Sequence, residues 1–427
     1  MAQPTYTTHA GMVDILPDDV RKWQFLEELI REEAHRFNFE EIRTPIMEQT
    51  ELIVRGLGQL TDIVSKEIFA FSRGDDNYVL RPELTAPVVR AYIEHHLDQR
   101  GGSQKLYYIG PMFRAERPQK GRQRQFHQFG VEIIGSSDAV ADAEVIAFMI
   151  HIYNRIGIKN TRLKLNSIGD PESREAYKNA LKSHLKPHFD KLSDVSKKRF
   201  EKNPLRILDS KEEEDRPFIE SAPLITDYLS QESKAHYDRV KQYLGDLDIS
   251  FEEDPYLVRG MDYYTQTAFE LISPDLGAQD ALAGGGRYDL LVEEIGGQPT
   301  PAVGFAAGME RLMIACEELD IPLGTEKHVD LYVVTLGDQA RRWGLSSLRQ
   351  FRNRGISATM DYMGRSMKAQ MKDANRENAH YALIVGDNEL RENRFTLRNM
   401  KESDEQQLSL DEIIVILKNS LTGQKES

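Results

Sequence analysis

MFRAERPQKGRQRQFHQFGVEIIG, residues 112–135, sets the reading of everything around it. Two strand-like runs, KLYYIGPMFRAE and RQFHQFGVEIIG, flank a loop around ERPQKGRQ, the pattern of a β-hairpin. Alternate residues of a strand share a face, so Arg124, Gln128 and Glu132 point one way and Phe129, Val131 and Ile133 the other. The second face is core. The first carries an amide and a carboxylate, while Arg114, Arg117, Lys120, Arg122 and Arg124 crowd eleven positions at the hairpin's mouth. Such a site could take a molecule with a polyanionic end and a polar or basic end. The alternative is a solvated hairpin with a charged loop.

Those cations stand out because the whole chain of 427 residues carries a formal net charge of −14. Acidity of that size argues against indiscriminate nucleic-acid binding, which comes mostly from Lys and Arg on phosphates. A second local exception is residues 341–372, with eight Lys or Arg against one acid, Asp361. Length and a hydrophobic content of 40% predict a soluble protein of two or three cores. No cationic leader precedes an apolar run, and no stretch of 18 uninterrupted apolar residues occurs, so neither export nor membrane insertion is expected. The single cysteine, Cys316, excludes an intramolecular disulfide and a multi-cysteine metal site. It fits a reducing compartment, with the cytoplasm as default.

Upstream of the hairpin, Val20, Trp23, Leu26, Leu29 and Ile30 recur at helical spacing. GDDN at 74–77 predicts a turn between two strands, and Thr85 with Pro87 suits the first turn of a helix to His95. Downstream, Ala139 to Ile156 reads as a long helix. From about 170 to 250 the chain is helical and highly charged, and is read as an insertion within a first domain spanning 1–325. Strand character returns in LVRGMDYYTQTAFE, AGGGRYD and AVGFAAGMERL. After a linker at 319–328, the order β-α-β-α-β-β-β-α predicts a mixed-sheet α/β domain over 329–427.

LVRGMDYY places Arg259, Asp262, Tyr263 and Tyr264 within six positions. Strict alternation separates Arg259 from Tyr264, so one site using both needs a bulge, which Gly260 permits. A tyrosine pair in a strand is otherwise core. AGGGRYD lacks the spacing of a Walker loop or a dinucleotide fingerprint, but its bare backbone could approach a flat ligand. Arg311, at the start of a helix after a glycine-rich strand, is either a surface residue or part of an anion site. HExxH, CxxC and GxSxG are absent from the sequence. Arginines with buried carboxylates suit chemistry at phosphorus, where positioning and electrostatic clamping do most of the work.

GMVDILP, RTPIMEQ, LRPELTAP, the hairpin, LNSIGD, RILDS, LVRGMDYYTQTAFE, AGGGRYD and AVGFAAGMERL, in this order, closely resemble the histidyl-tRNA synthetase family of class II. The resemblance implies a catalytic domain on an antiparallel sheet flanked by helices, a helical insertion and a C-terminal anticodon-binding domain. It implies a homodimeric ligase that activates L-histidine with ATP and magnesium, then transfers it to the 3′ end of tRNA(His). Carried over by motif, Glu83, Thr85 and Gln128 would hold the histidine α-ammonium. Glu132 would accept the imidazole N–H, flanked by Tyr263 and Tyr264. Arg114 and Arg259 would clamp the α-phosphate from opposite sides, and Arg122 and Arg311 the β- and γ-phosphates. No metal site built from protein side chains is implied. The basic stretch 341–372 would face the anticodon stem-loop. Gln123, where a bulky residue is common in the family, departs from the pattern. A non-catalytic relative, a regulatory subunit or tRNA-sensing module, is the competing reading.

Overall fold

The computed structural model describes residues 5–58, 61, 63–324 and 327–425. It divides into two compact units, Met1–Gly324 and Thr325–Ser427. In the first, α1 (Pro17–Arg36) precedes β1 (Glu40–Glu41), β2 (Met47–Gln49), α2 (Thr50–Leu57), β3 (Phe69–Arg73), β4 (Asp76–Leu80) and α3 (Thr85–Glu94). The hairpin follows as β5 (Gln104–Phe113) and β6 (Gln125–Ile134), then α4 (Ala139–Ile156) and β7 (Arg162–Ser167). Only helices lie between β7 and the next strand: α5 (Pro171–Leu185), α6 (Asp194–Lys202), α7 (Arg216–Glu220) and α8 (Gln231–Asp246), with short 3-10 turns. β8 (Glu252–Glu253), β9 (Thr265–Ile272), β10 (Ala281–Arg287), α9 (Leu291–Glu294), β11 (Ala302–Gly308) and α10 (Met309–Glu318) complete the unit.

Eight strands form one sheet in the order β1-β5-β6-β11-β10-β9-β7-β8. Its six central strands are antiparallel, and only the short edge strands β1 and β8 pair in parallel. The hairpin register runs from Gln104↔Ile134 to Phe113↔Gln125. Phe129, Val131 and Ile133 enter a core with Trp23, Leu26 and Ile30 of α1 and with residues of α4 and α10. α8 joins it through Tyr237, Val240 and Leu244, so the last helix of the 170–250 segment packs onto the sheet instead of standing apart from it. The opposite face is closed by a second core that includes Val88, Val89, Leu106, Tyr108 and Ile134.

One buried ion network pins the layers together. Arg287, at the end of β10, donates from Nε to both oxygens of Asp142 on α4 at 3.1–3.2 Å and from Nη1 to the Ser136 carbonyl at 2.8 Å. His236 of α8 lies 3.4 Å from the same carboxylate. Burial alone would raise the Asp142 pKa, but the Arg287 charge and His236 override it and hold it at about 2. Removing one member of such a pair strands the other charge in the interior. Arg287→Met is therefore expected to cost about 3–5 kcal/mol in denaturant titration, and a loss below about 1 kcal/mol would contradict this role.

The second unit is a five-stranded mixed sheet, β12 (Val329–Thr335), β13 (Ala358–Met360), β14 (Ala379–Val385), β15 (Phe395–Asn399) and β16 (Glu405–Leu408), in the order β13-β12-β14-β15-β16. α11 (Asp338–Arg352), α12 (Met367–Arg376) and α14 (Leu410–Lys425) accompany it. A short helix absent from the sequence reading, α13 (Asp387–Glu392), forms where the Glu389 carboxylate accepts the Gly386 N–H at 2.9 Å.

Candidate active site

Glu132 is the centre of the site. It lies on the face of β6 opposite Phe129, Val131 and Ile133, 1% exposed, and three hydroxyls converge on its carboxylate. Thr85 Oγ1 donates to Oε1 at 2.8 Å, the Tyr108 hydroxyl to Oε1 at 3.1 Å and the Tyr288 hydroxyl to Oε2 at 2.5 Å. Burial, reinforced by the nearby Glu83 charge, nevertheless pushes Glu132 up to about 8. Across the sheet, Glu132 pairs with Gly304 of β11, which pairs with Gly286 of β10. A Cβ on Gly304 would stand 1.7 Å from Glu132 Oε2. The carboxylate therefore lies over bare backbone.

Glu83 is joined to this centre through Thr85. Its carboxylate accepts the Thr85 N–H at 2.6 Å and the Ala86 N–H at 2.9 Å, capping α3 from the residue before its usual cap position. Burial raises its pKa against those two amides. Tyr263 packs on Tyr264 and Tyr288 with ring centroids 4.6 and 5.6 Å apart. Among the described residues, Tyr263 Oη, Gln128 Oε1 and Arg259 Nε are buried and find no hydrogen-bond partner within the chain. Buried polar atoms are rarely left so, and each of the three has capacity for a further polar partner.

The cations form two tiers beyond this pocket. Arg259 lies across Gly284, where a Cβ would meet its Nη2 at 2.4 Å, and contacts Glu270 at 3.3 Å. Arg114 donates from Nε to the Pro82 carbonyl at 2.9 Å and packs over Phe126. Further out, Arg311 donates to the Ala281 carbonyl at 2.8 Å, and half-exposed Arg122 lies 3.4 Å from Glu116. Burial first, then the Arg122 charge, lowers the Arg311 pKa. Like charges held this close favour an anion between them.

Three features differ from the sequence reading. Residues 257–264 are a loop, not a strand, and no bulge forms at Gly260. The irregularity sits at the start of β9, where Gln266 adopts φ +47 and the register slips between Gly286 and Arg287. Tyr108 and Tyr288 were missed as members of the site. The hairpin register that sets Leu106 against Glu132 and Tyr108 against Gly130 holds the signal for the first. In the basic stretch, Arg365 is bound to Asp361 and Asp373 at 2.5 and 2.6 Å, and Arg352 to the Ala358 carbonyl, so two of its cations serve the fold. Elsewhere in that unit His328, Asp330 and His380 each bring a possible ligand atom within 4.8 Å of the others, with the two imidazoles stacked at 17°.

The family model described as histidyl-tRNA synthetase matches residues 11–312. The chain belongs to the histidyl-tRNA synthetase family. A second model, described as an anticodon binding domain, matches residues 330–420. The chain is 49% identical over 421 residues to the histidine–tRNA ligase of Chloroherpeton thalassium, covering 98% of this chain and 99% of that one. Against the histidine–tRNA ligase of Bacillus licheniformis it is 47% identical, covering 96% and 98%. It superposes on apo S. aureus histidyl-tRNA synthetase with a TM-score of 0.83 at 41% identity, over 97% of this chain and 100% of that chain. Among the described residues no helix is long and apolar enough to cross a membrane.

The Glu132 environment gives the protein a stability signature. Between about pH 4.5 and 8 the unfolded carboxyl is ionised while the folded one keeps its proton, so stability falls as pH rises through that window. Glu132→Gln removes this dependence. Its melting temperature relative to wild type is expected to climb from about pH 5 to about pH 8, and a constant difference would contradict the buried proton.

Proposed function

We propose that the Glu132 cleft is where this histidine–tRNA ligase joins histidine to AMP before passing it to tRNA(His). The observation that carries the reading is a buried carboxylate on bare backbone, ringed by hydroxyls and bordered by the unpartnered atoms of Gln128, Tyr263 and Arg259. Glu132 accepts the imidazole N–H, with Tyr263 and Tyr264 walling the ring. Gln128, Thr85 and Glu83 take the α-ammonium. A pocket built to hydrogen-bond a polar side chain rejects analogues lacking it by roughly 10⁴-fold or more.

The chemistry asks little of the protein beyond placement. The histidine carboxylate attacks the α-phosphorus, an oxygen–phosphorus bond forms, and pyrophosphate leaves with the electron pair of the broken bond. Arg114 and Arg259 clamp the α-phosphate oxygens as charge builds there, and Arg122 and Arg311 hold the leaving pyrophosphate. Magnesium accompanies ATP and neutralises its phosphates. Glu116 and Glu270, beside these arginines, are oxygen donors of the kind that ion takes.

In the same reading, residues 1–325 are the catalytic domain, with 170–250 inserted, and 329–427 read the anticodon through the basic stretch 341–372. The enzyme is a cytoplasmic homodimer. Exposed Ile46 and Met47, next to Pro45 at a cavity of about 890 Å³ lined by both apolar and charged side chains, supply apolar contacts for a second copy. The competing regulatory-subunit reading expects no anticodon-binding region. The match over 330–420 and the full-length ligase relatives favour the catalytic one.

ATP–pyrophosphate exchange with each of the twenty amino acids, without tRNA, tests the reading. Histidine alone should support exchange, and folded protein that exchanges with none would overturn it. Arg259→Ala is expected to lower adenylate formation about 10²-fold or more with a much smaller change in histidine affinity, because its contact strengthens in the transition state. Equal losses in both would remove Arg259 from that role.

A further inference from the structure

The loop carrying Arg259, Tyr263 and Tyr264 has little sheet pairing of its own, yet it must hold three site side chains in place. Its support comes largely from the helical insertion. Arg174, on the first turn of α5, donates from Nη1 to the Tyr264 carbonyl at 2.7 Å and to the Asp262 carbonyl at 3.1 Å. Arg206 Nη1 donates to the Gly260 carbonyl at 2.6 Å, and Asn203 Nδ2 to Asp262 Oδ1 at 2.8 Å. On the other side, the Asp262 N–H reaches the Leu57 carbonyl at 3.4 Å, and a Cβ on Gly58 would lie 2.6 Å from Asp262 Oδ2. The loop is thus clamped between the insertion and the end of α2.

α5 is itself firmly set at that end. Its N-cap Asp170 accepts the Ser173 N–H at 2.8 Å, the Ser233 hydroxyl at 2.8 Å and the Ser230 hydroxyl at 2.5 Å. Ser230 caps α8, the helix that packs on the main core. A continuous chain of contacts therefore runs from the sheet through α8 and Asp170 to Arg174, and from Arg174 to the tyrosine backbone.

We propose that Arg174 is a positioning residue for the histidine pocket. Through it the insertion sets where Tyr263, Tyr264 and Arg259 stand, although Arg174 itself touches no substrate. The proposal rests on the functional reading above and deepens it. One cation on the carbonyls of both Asp262 and Tyr264 fixes the loop's direction as well as its position, and misplacing a binding group by about 1 Å can cost about 10²-fold in rate. Movement of the insertion would reach the histidine pocket by this route.

ATP–pyrophosphate exchange at varied histidine and varied ATP, in wild type, Arg174→Met and Arg174→Lys, tests it. Arg174→Met is expected to raise the histidine KM about tenfold or more and lower kcat, with the ATP KM changed less than about twofold. Arg174→Lys, which keeps a charged donor, should recover most of the histidine KM. Loss of kcat with both KM values unchanged and no recovery in Arg174→Lys is what simple loss of folded protein gives, and overturns the proposal. Should Arg174→Met not fold, Arg206→Met carries the same expectation through Gly260, and an unchanged histidine KM there overturns it. Wild-type protein that exchanges with no amino acid sinks the functional reading. Wild type that exchanges with histidine beside an Arg174→Met of normal histidine KM sinks only this proposal.

Discussion

A carboxyl group in the middle of a central strand costs several kcal/mol to take out of water unless donors surround it. The inner face of the large sheet is arranged around that cost at Glu132. Thr85, Tyr108 and Tyr288 come from a helix start, the neighbouring strand and the turn after β10, and each gives a hydroxyl. Gly304 and Gly286 keep the adjacent backbone bare, since even one methyl at 304 would collide with the carboxylate. Substituting any of these groups changes how the carboxyl is held, so pocket and fold are one problem.

The arginines divide by how they are tied down. Arg287 is consumed by the fold and has no free chemistry, whereas Arg114 and Arg259 are anchored at one edge of the guanidinium and retain donors. An arginine held through one nitrogen keeps its plane fixed while its remaining N–H groups stay available for a forked contact. Arg122 and Arg311, outermost and mutually repelling, suit the part of a substrate that must leave.

The hairpin was legible because alternation and a cation-rich loop are local signals, and α4 emerged with the bounds its apolar run suggests. Register is not local. Tyr108 and Gly304 join the site only through cross-strand partners that no window of sequence displays. LVRGMDYY misled for a related reason: valine and tyrosine are strand formers, but the segment's backbone is satisfied by Arg174 and Arg206 from far along the chain. The short helix after β14 escaped because glutamate capping at Gly386 gives only one weak cue. The family resemblance rested on motifs and was unaffected by these errors, since the residues stand in place whatever secondary structure carries them.

The proton on Glu132 has one more consequence. Tyr108 and Tyr288 are pushed well above the ordinary tyrosine range by burial, so they remain donors throughout, and the carboxyl is the group left to titrate near neutrality. A protonated carboxyl still accepts an imidazole N–H through its other oxygen, and it has a proton to pass to the bare nitrogen of a bound ring. Where histidine binding changes the proton count, its apparent heat varies with the ionisation enthalpy of the buffer that exchanges the proton.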